Sequence, residues 1–274
     1  MARIPLEDNF DDIINKAQRG LQVPDPELAQ RAEITLDDLR AVKSGRPLVP
    51  VIRRVARHLD LGPDALEVSS RKEWYPEQPA FSGGFAAFNT MFGDMAVNSY
   101  LVWDARSKLA AAFDTGATAE PMLDTIRAER LTVRMLFLTH THEDHVADLN
   151  RLAGETGAEV WSSEREPADF AGAQTFRENA HFHLGALAIK TLLTSGHSPG
   201  LTTFYITGLD RPLAIAGDAI FAGSLGGSAT HYGEQKQNTR RKILTLPRDT
   251  ALACGHGPLT SVSQELQHNP FFAR

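Results

Sequence analysis

One segment of this 274-residue chain reads Val133-Arg-Met-Leu-Phe-Leu-Thr-His-Thr-His-Glu-Asp-His145. Its first six residues are apolar apart from Arg134, which is typical of a buried β-strand. The residues that follow include four potential metal ligands: His140, His142, Asp144 and His145. Active residues are commonly held on loops at the ends of strands, where a rigid scaffold positions them. The segment therefore predicts a strand that leads into a metal-binding loop.

The residue types in this loop favour metal binding over packing. Neutral imidazole and carboxylate are the expected ligands for zinc and for other borderline divalent metals. Burying such groups without partners would be costly, so a hydrophobic core does not require them. Their uneven spacing suits a turn that feeds two metal centres rather than one face of a helix. We therefore expect a metal-dependent active site around residues 140–145.

The bulk composition indicates a globular protein with no membrane partner and no overall electrostatic affinity for polyanions. Hydrophobic residues make up 42% and charged residues 23% of the chain, and the formal net charge is -6. A negatively charged molecule does not bind polyanions through its overall electrostatics. The acidic first twelve residues do not read as a signal peptide, and no apolar run approaches the roughly 18–20 residues that span a bilayer. We therefore expect a cytoplasmic location.

The chain divides into three parts by its patterns. Residues 1–70 predict short helices joined by tight turns, because apolar positions such as Phe10 and Ile13 recur at helical spacing. Residues 71–85, which contain several Pro, Ser and Gly residues, predict a linker. Residues 86–274 alternate strand and helix patterns, which predicts a layered α/β catalytic domain.

Within the helical part, residues 27–45 resemble the helix-turn-helix of the phage-repressor (Cro/C1-type) family. The resemblance implies DNA as a partner through residues 27–57. Charge disfavours that partner, because residues 1–80 carry 12 Lys and Arg against 14 Asp and Glu, whereas DNA binding needs cations that neutralise phosphates. The expected recognition helix also begins with Asp37 and Asp38, where base-reading residues should point. The alternatives are a module for homodimer formation and one that covers the active-site mouth.

Four motifs follow one another along residues 86–274. They are His140-x-His142-x-Asp144-His145, Ser195-Gly-His-Ser-Pro-Gly200, Ala216-Gly-Asp218 and Cys254-Gly-His-Gly-Pro258. In this order they are similar to the metal-binding motifs of the metallo-β-lactamase superfamily. The resemblance implies an α/β fold, a four-layer αββα sandwich with two metals at one edge, preceded here by a small all-α helix-turn-helix-like bundle.

The resemblance also implies a role for each ligand residue. The first metal would be held by His140, His142 and His197, the second by Asp144, His145 and His256, with Asp218 bridging them. Asp144 and Asp218 would be the catalytic carboxylates that orient a shared hydroxide, and Asp114 would support the histidine loop from outside. Coordination lowers the pKa of bound water towards about 7. Two divalent ions would therefore generate the nucleophile, with zinc expected and iron or manganese as alternatives.

The carboxyl-terminal third resembles the glyoxalase II-like branch of this superfamily. The stretches that carry the resemblance include Phe221-Ala-Gly-Ser-Leu-Gly226, Ile243-Leu-Thr-Leu-Pro247 and Asn269-Pro-Phe-Phe272. The branch implies hydrolysis of a small-molecule thioester, with S-acylglutathione as the reference substrate, or of a related ester. One segment, Gly227-Ser-Ala-Thr230, departs from the Arg-Thr-Asp-Phe-like motif of many relatives.

Several residues near these motifs have a second interpretation. The loop after the bridging aspartate contains three candidate substrate contacts: Ser224, His231 and Tyr232. The pair His181 and His183 has no carboxylate at ligand spacing, so we interpret it as lying outside the site. The single cysteine, Cys254, excludes an intramolecular disulfide and is interpreted as a packing residue beside the ligand loop.

Two other functions are compatible with the same motifs. One is a mononuclear iron persulfide dioxygenase, which would use a reduced ligand set at a single iron. The complete second-metal set, with His256, favours hydrolysis over this alternative. The other is a DNA-binding regulator whose hydrolase domain senses a metabolite.

Overall fold

The computed structural model of the protein describes residues 3–273, and five helices precede the first strand. They are α1 (Phe10–Leu21), α2 (Asp25–Arg31), α3 (Leu36–Lys43), α4 (Val49–His58) and α5 (Pro63–Ser70). Thr35 caps α3, because its hydroxyl accepts a hydrogen bond from the Asp38 amide at 3.0 Å. The helical character of this part is therefore confirmed. Among the described residues, no helix has both the length and the apolar character that crossing a membrane requires.

The first of the two sheets is mixed and lies in the first half of the catalytic region. Its strands, in spatial order, are β1 (Phe85–Phe92), β2 (Met95–Trp103), β3 (Leu109–Phe113), β4 (Thr132–Phe137), β5 (Glu159–Ser163) and β6 (Gln174–Phe176). Neighbours from β1 to β3 are antiparallel, and neighbours from β3 to β6 are parallel. Parallel pairs need a crossover, and the helices α6 (Glu120–Glu129), α7 (Glu143–Val146) and α8 (Leu149–Thr156) lie in these connections.

The second sheet is mixed and lies in the carboxyl-terminal half. Its strands are β7 (His181–Leu184), β8 (Leu187–Leu193), β9 (Thr202–Thr207), β10 (Leu213–Gly217), β11 (Ala251–Cys254) and β12 (Thr260–Ser261), in the spatial order β12-β11-β10-β9-β8-β7. Only β10 and β11 pair in parallel among these described strands. Two helices accompany the sheet, α9 (Tyr232–Asn238), which continues into a π-helical turn (Thr239–Ile243), and α10 (Val262–His268).

Aromatic side chains from both sheets form the core between them. Successive strand residues point to opposite faces, so Tyr100 of β2 enters this core whereas Leu101 packs on the other side with α6 and α8. The rings of Phe113, Phe137 and Phe204 join the two sheets, with centroids 5.0–5.4 Å apart. The expected α/β sandwich is therefore confirmed, with the two sheets as its inner layers.

The N-terminal helices share a hydrophobic cluster with the outer face of the second sheet. Ile14 of α1 and Ile52 of α4 are fully buried and belong to the same hydrophobic cluster as Ala214 and Ala216 of β10. Phe271, near the carboxyl end, joins this cluster as well. The five helices and the sandwich therefore share one core.

The predicted linker is also fixed in place. Residues 71–84 contain no helix or strand, yet Trp74 stacks on His268 of α10 with ring centroids 5.1 Å apart. The hydroxyl of Tyr75 donates a hydrogen bond to the carbonyl of Ile4 at 2.8 Å. The segment therefore packs against both the beginning and the end of the described chain instead of extending into solvent.

Candidate metal centre

The predicted ligand residues lie on loops at the ends of strands. β4 leads into α7 through a loop that carries His140 and His142, and the connection from β8 to β9 carries His197. Because β10 and β11 run in parallel, their carboxyl ends meet at one edge of the sheet. Asp218 follows the first of these strands and His256 follows the second, so the fold brings residues far apart in sequence to one place.

Three histidines form the first candidate ligand cluster. Nε2 of His140 and Nε2 of His197 each lie 3.0 Å from Nδ1 of His142. The ligand atoms of the three residues all lie within 4.8 Å of one another. Three nitrogens that converge from different directions can coordinate one cation, which is the arrangement of a first metal site.

A second cluster lies beside the first and is joined to it by Asp218. Asp144, His145 and His256 form this cluster, with Oδ2 of Asp144 3.6 Å from Nε2 of His145 and 3.4 Å from Nε2 of His256. Oδ2 of Asp218 lies 3.3 Å from Nε2 of His197 in the first cluster and 3.6 Å from Nε2 of His256 in the second. One carboxylate can therefore reach cations held by either cluster.

Two buried polar atoms at this junction test whether a metal fits. Nε2 of His145 and Oδ1 of Asp218 are buried, lie 3.4 Å apart and have no hydrogen-bond partner among the described residues. Leaving buried polar atoms unpaired costs free energy, and both atoms are ones that a divalent cation would bind. The donor set of imidazoles and carboxylates therefore fits divalent metal ions at these clusters.

Each histidine that offers Nε2 is oriented through its other ring nitrogen. The partners of Nδ1 are Thr139 Oγ1 for His140 at 3.0 Å, Asp114 Oδ2 for His145 at 2.8 Å, the Gly227 carbonyl for His197 at 2.8 Å and the Ala96 carbonyl for His256 at 2.7 Å. A carbonyl oxygen only accepts, so Nδ1 of His197 and of His256 must carry the proton. In the neutral form of either ring, the lone pair of Nε2 is therefore available to a metal.

Asp114 organises the loop that carries the first histidines. It follows β3 in the left-handed conformation, with φ 55°. Its Oδ1 accepts a hydrogen bond from the Thr139 amide, and its Oδ2 accepts one from the Thr139 hydroxyl, each at 2.7 Å. Oδ2 also contacts His145, so this carboxylate fixes both the start of the loop and one ligand of the second cluster.

The electrostatics of the site favour a neutral imidazole at His140 and an ionised carboxylate at Asp218. Burial, together with the neighbouring His145, lowers the pKa of His140 well below its ordinary value. Burial alone would raise the pKa of Asp218, but the neighbouring imidazole of His145 and the charge of His256 hold it well below its ordinary value. Burial opposes charge on His145, yet Asp114 and Asp218 raise its pKa well above the ordinary value. The surroundings of the second cluster thus favour positive charge.

Glu166 was not predicted as part of this site. Its Oε1 accepts hydrogen bonds from the amide and hydroxyl of Thr141 at 2.8 and 2.9 Å. Its Oε2 accepts from the Ser198 hydroxyl at 2.6 Å and the Gly200 amide at 2.8 Å. Burial would raise the pKa of Glu166, but these bonds outweigh it and lower the pKa. Glu166 therefore connects the His140–His142 loop with the His197 loop, a role that no spacing in the sequence indicates.

The structure brings one of the three candidate substrate residues to the site. His231 lines a pocket of about 520 Å³ that also borders His197. Ser224 is buried and donates a hydrogen bond to Asp8 at 2.5 Å. Tyr232 is buried too, with its ring centroid 6.3 Å from that of Phe271. The latter two side chains face the core shared with the N-terminal helices, so they do not line this pocket.

The residues interpreted as lying outside the site are placed accordingly. His181 and His183 lie on β7, at the edge of the second sheet, with exposed side chains. Cys254 is fully buried at the end of β11, and burial raises the pKa of its thiol well above the ordinary value. A thiol that is buried and protonated is inert as a nucleophile.

Comparison with known proteins identifies the family. Residues 92–256 match the profile of the metallo-beta-lactamase superfamily. The chain belongs to this superfamily. It is 30% identical over 197 residues to the hydroxyacylglutathione hydrolase GloC of Haemophilus influenzae, covering 64% of this chain and 92% of the relative. It is 29% identical over 202 residues to the probable metallo-hydrolase YqgX of Bacillus subtilis, covering 65% of this chain and 93% of the relative.

Solved structures agree with this fold assignment. The BLEG-1 B3 metallo-beta-lactamase superposes with a TM-score of 0.60 at 27% identity, covering 69% of this chain and 100% of that one. The ETHE1 protein of Myxococcus xanthus superposes with the same TM-score of 0.60 at 24% identity, covering 69% of this chain and 84% of that one. The latter similarity shows the shared fold alone. The superfamily profile begins at residue 92, so the helices of residues 3–70 lie outside it, and their resemblance to a Cro/C1-type helix-turn-helix is not confirmed.

Proposed function

We propose that this metallo-hydrolase cleaves a thioester of the S-acylglutathione type or a related ester. The observation that carries the proposal is the pair of ligand clusters joined by Asp218. The similarity to a hydroxyacylglutathione hydrolase over 92% of that relative supports the choice of a thioester. Zinc is the proposed metal, and manganese and iron are the alternatives. Iron is supported by a solved structure in a di-iron-bound form that is 25% identical to this chain and superposes with a TM-score of 0.54.

The chain's own residues account for the positions of the reacting groups. Two divalent cations held by the clusters would supply a hydroxide nucleophile at neutral pH and an electrophilic site for the substrate carbonyl. Asp218, ionised and reaching towards both clusters, and Asp144 in the second cluster would orient that nucleophile. A carbon–oxygen bond forms at the acyl carbon as the carbon–sulfur bond breaks, and the thiolate leaves. No protein nucleophile is needed, which is consistent with the buried Cys254.

Metal quantification followed by a substrate panel tests this proposal. We expect two metal ions per chain and hydrolysis of thioesters in preference to lactones and phosphodiesters. Asp218→Asn keeps the shape of the side chain but weakens both metal sites, so it should lower metal content and activity together. Hydrolysis of none of these substrates by the metal-loaded protein would contradict the proposal.

The persulfide dioxygenase alternative predicts a different result in the same preparation. It requires one iron per chain and consumption of oxygen with a persulfide substrate. The presence of Asp144, His145 and His256 as a second cluster favours hydrolysis instead. Oxygen uptake that depends on a single iron would replace the thioesterase proposal with the dioxygenase.

A further inference from the structure

The pocket beside His197 has an unusual distribution of charge. Four segments line the pocket: the β5–β6 connection, the His197 loop, the loop after Asp218 and the start of α9. The charged or titratable residues in this lining are Arg165, His197, His231 and Glu234. His197 belongs to the first cluster, so the pocket opens directly onto the proposed metal centre. A substrate whose scissile bond lies at that centre would extend one of its halves into this space.

The carboxylates around this pocket already have partners. Glu234 accepts a hydrogen bond from the Ser195 hydroxyl at 2.6 Å and lies 3.6 Å from His231. Glu164 pairs with Arg177 at 3.0 Å. Glu166 is occupied by the two ligand loops.

Arg165, which lies between Glu164 and Glu166 in the sequence, forms no ion pair within residues 3–273. Its guanidinium is thus the one formal charge in the lining that lacks a partner of opposite sign in the described chain.

The backbone of Arg165 is held firmly although its side chain is exposed. Its amide donates to Ser163 Oγ at 3.3 Å, and the next residue, Glu166, is anchored by four hydrogen bonds. A Cβ added at Gly200 would lie 2.9 Å from the Glu166 amide nitrogen, so this connection packs directly against the His197 loop. The backbone of Arg165 therefore has a fixed position relative to the first cluster.

The opposite wall of the pocket is equally fixed and leaves room for a ligand. The Gly227 carbonyl contacts His197, and the Ser228 hydroxyl donates to the Gly196 carbonyl at 2.7 Å. A Cβ added at Gly227 would meet no atom within 4 Å among the described residues. The segment Gly227-Ser-Ala-Thr230 carries no charge, so it adds no ion-pair partner for Arg165 to the lining of the pocket.

We propose that Arg165 binds a carboxylate on the thiol half of the substrate, which makes this pocket the subsite for an anionic leaving group. The inference rests on the proposed thioesterase function. A guanidinium can bind a carboxylate through two parallel hydrogen bonds. Binding at Arg165 places the thiol half next to His197, with the acyl group directed away from the pocket across the metal centre.

Two thioesters that share an acyl group test the assignment. S-acetylglutathione carries carboxylates on its thiol half, whereas S-acetyl-2-mercaptoethanol is neutral. Arg165→Ala should raise KM for the first substrate about tenfold with little change in kcat, and should leave both constants for the neutral substrate within about twofold. Arg165→Lys should fall between, because lysine keeps the charge but not the bidentate geometry. Arg106→Ala, which removes an exposed arginine away from this pocket, is the matched control and should behave like wild type.

A direct binding measurement separates this inference from the proposed function. S-methylglutathione cannot be hydrolysed, and calorimetry with the metal-loaded protein should show about tenfold weaker binding to the Arg165→Ala variant. If that difference is found but no thioester is cleaved, the subsite stands and the thioesterase proposal is wrong. If thioesters are cleaved but Arg165→Ala changes neither KM nor binding, or if wild type does not bind S-methylglutathione, the subsite is wrong.

Discussion

Replacement of Glu265 by glutamine should make the protein more stable above neutral pH. This carboxyl group on α10 is fully buried, and burial raises its pKa from 4.5 to about 7 against the opposing effect of three hydrogen-bond partners. Oε2 accepts from the Gly223 amide at 3.0 Å and from Asn269 Nδ2 at 2.7 Å, while Oε1 lies 2.7 Å from the Thr260 hydroxyl. A glutamine can keep all three contacts, because its amide group can donate to the threonine oxygen.

The expected size follows from the difference in pKa between the folded and unfolded chain. Below about pH 4.5 the group is protonated in both states, so it adds no pH dependence. Between about 4.5 and 7 the unfolded chain has released the proton and the folded chain has not, so stability falls as pH rises. Above about pH 7 both states are ionised and the loss is complete. At about 1.4 kcal/mol per pKa unit the total loss is about 3 kcal/mol.

Urea unfolding at pH 5, 6, 7 and 8 measures this difference. All samples contain a chelator, so the titration of the metal ligands is the same in both proteins and cancels in the comparison. The Glu265→Gln variant should gain on wild type steadily across this range, by roughly 2–3 kcal/mol in total. Glu73→Gln, which changes an exposed carboxylate, should follow wild type at every pH. A Glu265→Gln variant that shows the same pH dependence as wild type would refute the reasoning.

Three further changes examine other parts of the structure. Glu166→Gln leaves one accepting oxygen in place of two between the ligand loops, so metal affinity should fall about tenfold. Competition with a chelating dye measures this affinity, and the control variant Glu164→Gln should leave it unchanged. Asp8→Ala removes the acceptor shared by Lys16 and Ser224 and should cost about 2 kcal/mol in urea unfolding, against a smaller loss for Asp8→Asn. Ile14→Ala should cost about 3 kcal/mol in one transition seen alike by circular dichroism and tryptophan fluorescence; two separate transitions would contradict a shared core.

The ligand clusters could be predicted because their chemistry is local. His140, His142, Asp144 and His145 follow a strand at short range, and few roles other than metal binding use such residue types together. The strand order then brings His197, Asp218 and His256 to the same edge. The sandwich itself was predictable for a related reason, since alternating strand and helix patterns admit few layered folds.

Contacts between distant loops could not be predicted in this way. Ser224 and Tyr232 were expected near the substrate because they follow Asp218 closely in sequence. The antiparallel bridge between Phe221 and Ser224 instead turns that loop towards the N-terminal part of the chain, where Asp8 accepts a hydrogen bond from the Ser224 hydroxyl. Glu166 was missed because nothing in the sequence distinguishes it from Glu164, which has the same side chain two residues earlier. Only the fold shows that Glu166, and not Glu164, contacts the ligand loops.

The N-terminal helices illustrate a further limit of sequence patterns. Apolar spacing shows that a helix buries one face. The same spacing is expected whether that face packs in a separate helical bundle or against another part of the domain. Ile14 and Ile52 pack in the cluster that contains Ala214 and Ala216. The pattern therefore predicted helices correctly, but it could not name the surface that covers them.

This shared core has a consequence for how the gene can be divided. A fragment that encodes residues 86–274 would retain every candidate metal ligand, yet it would lack the residues of α1 to α5 that belong to the hydrophobic cluster on the outer face of its second sheet. It would also lack Asp8, which accepts a hydrogen bond from the Ser224 hydroxyl, and Lys16, which donates one to the Leu225 carbonyl. Sequence similarity alone would place a truncation near residue 92, where the superfamily match begins. The packing indicates instead that the amino-terminal third must be kept with the hydrolase domain whenever that domain is expressed or fused to another protein.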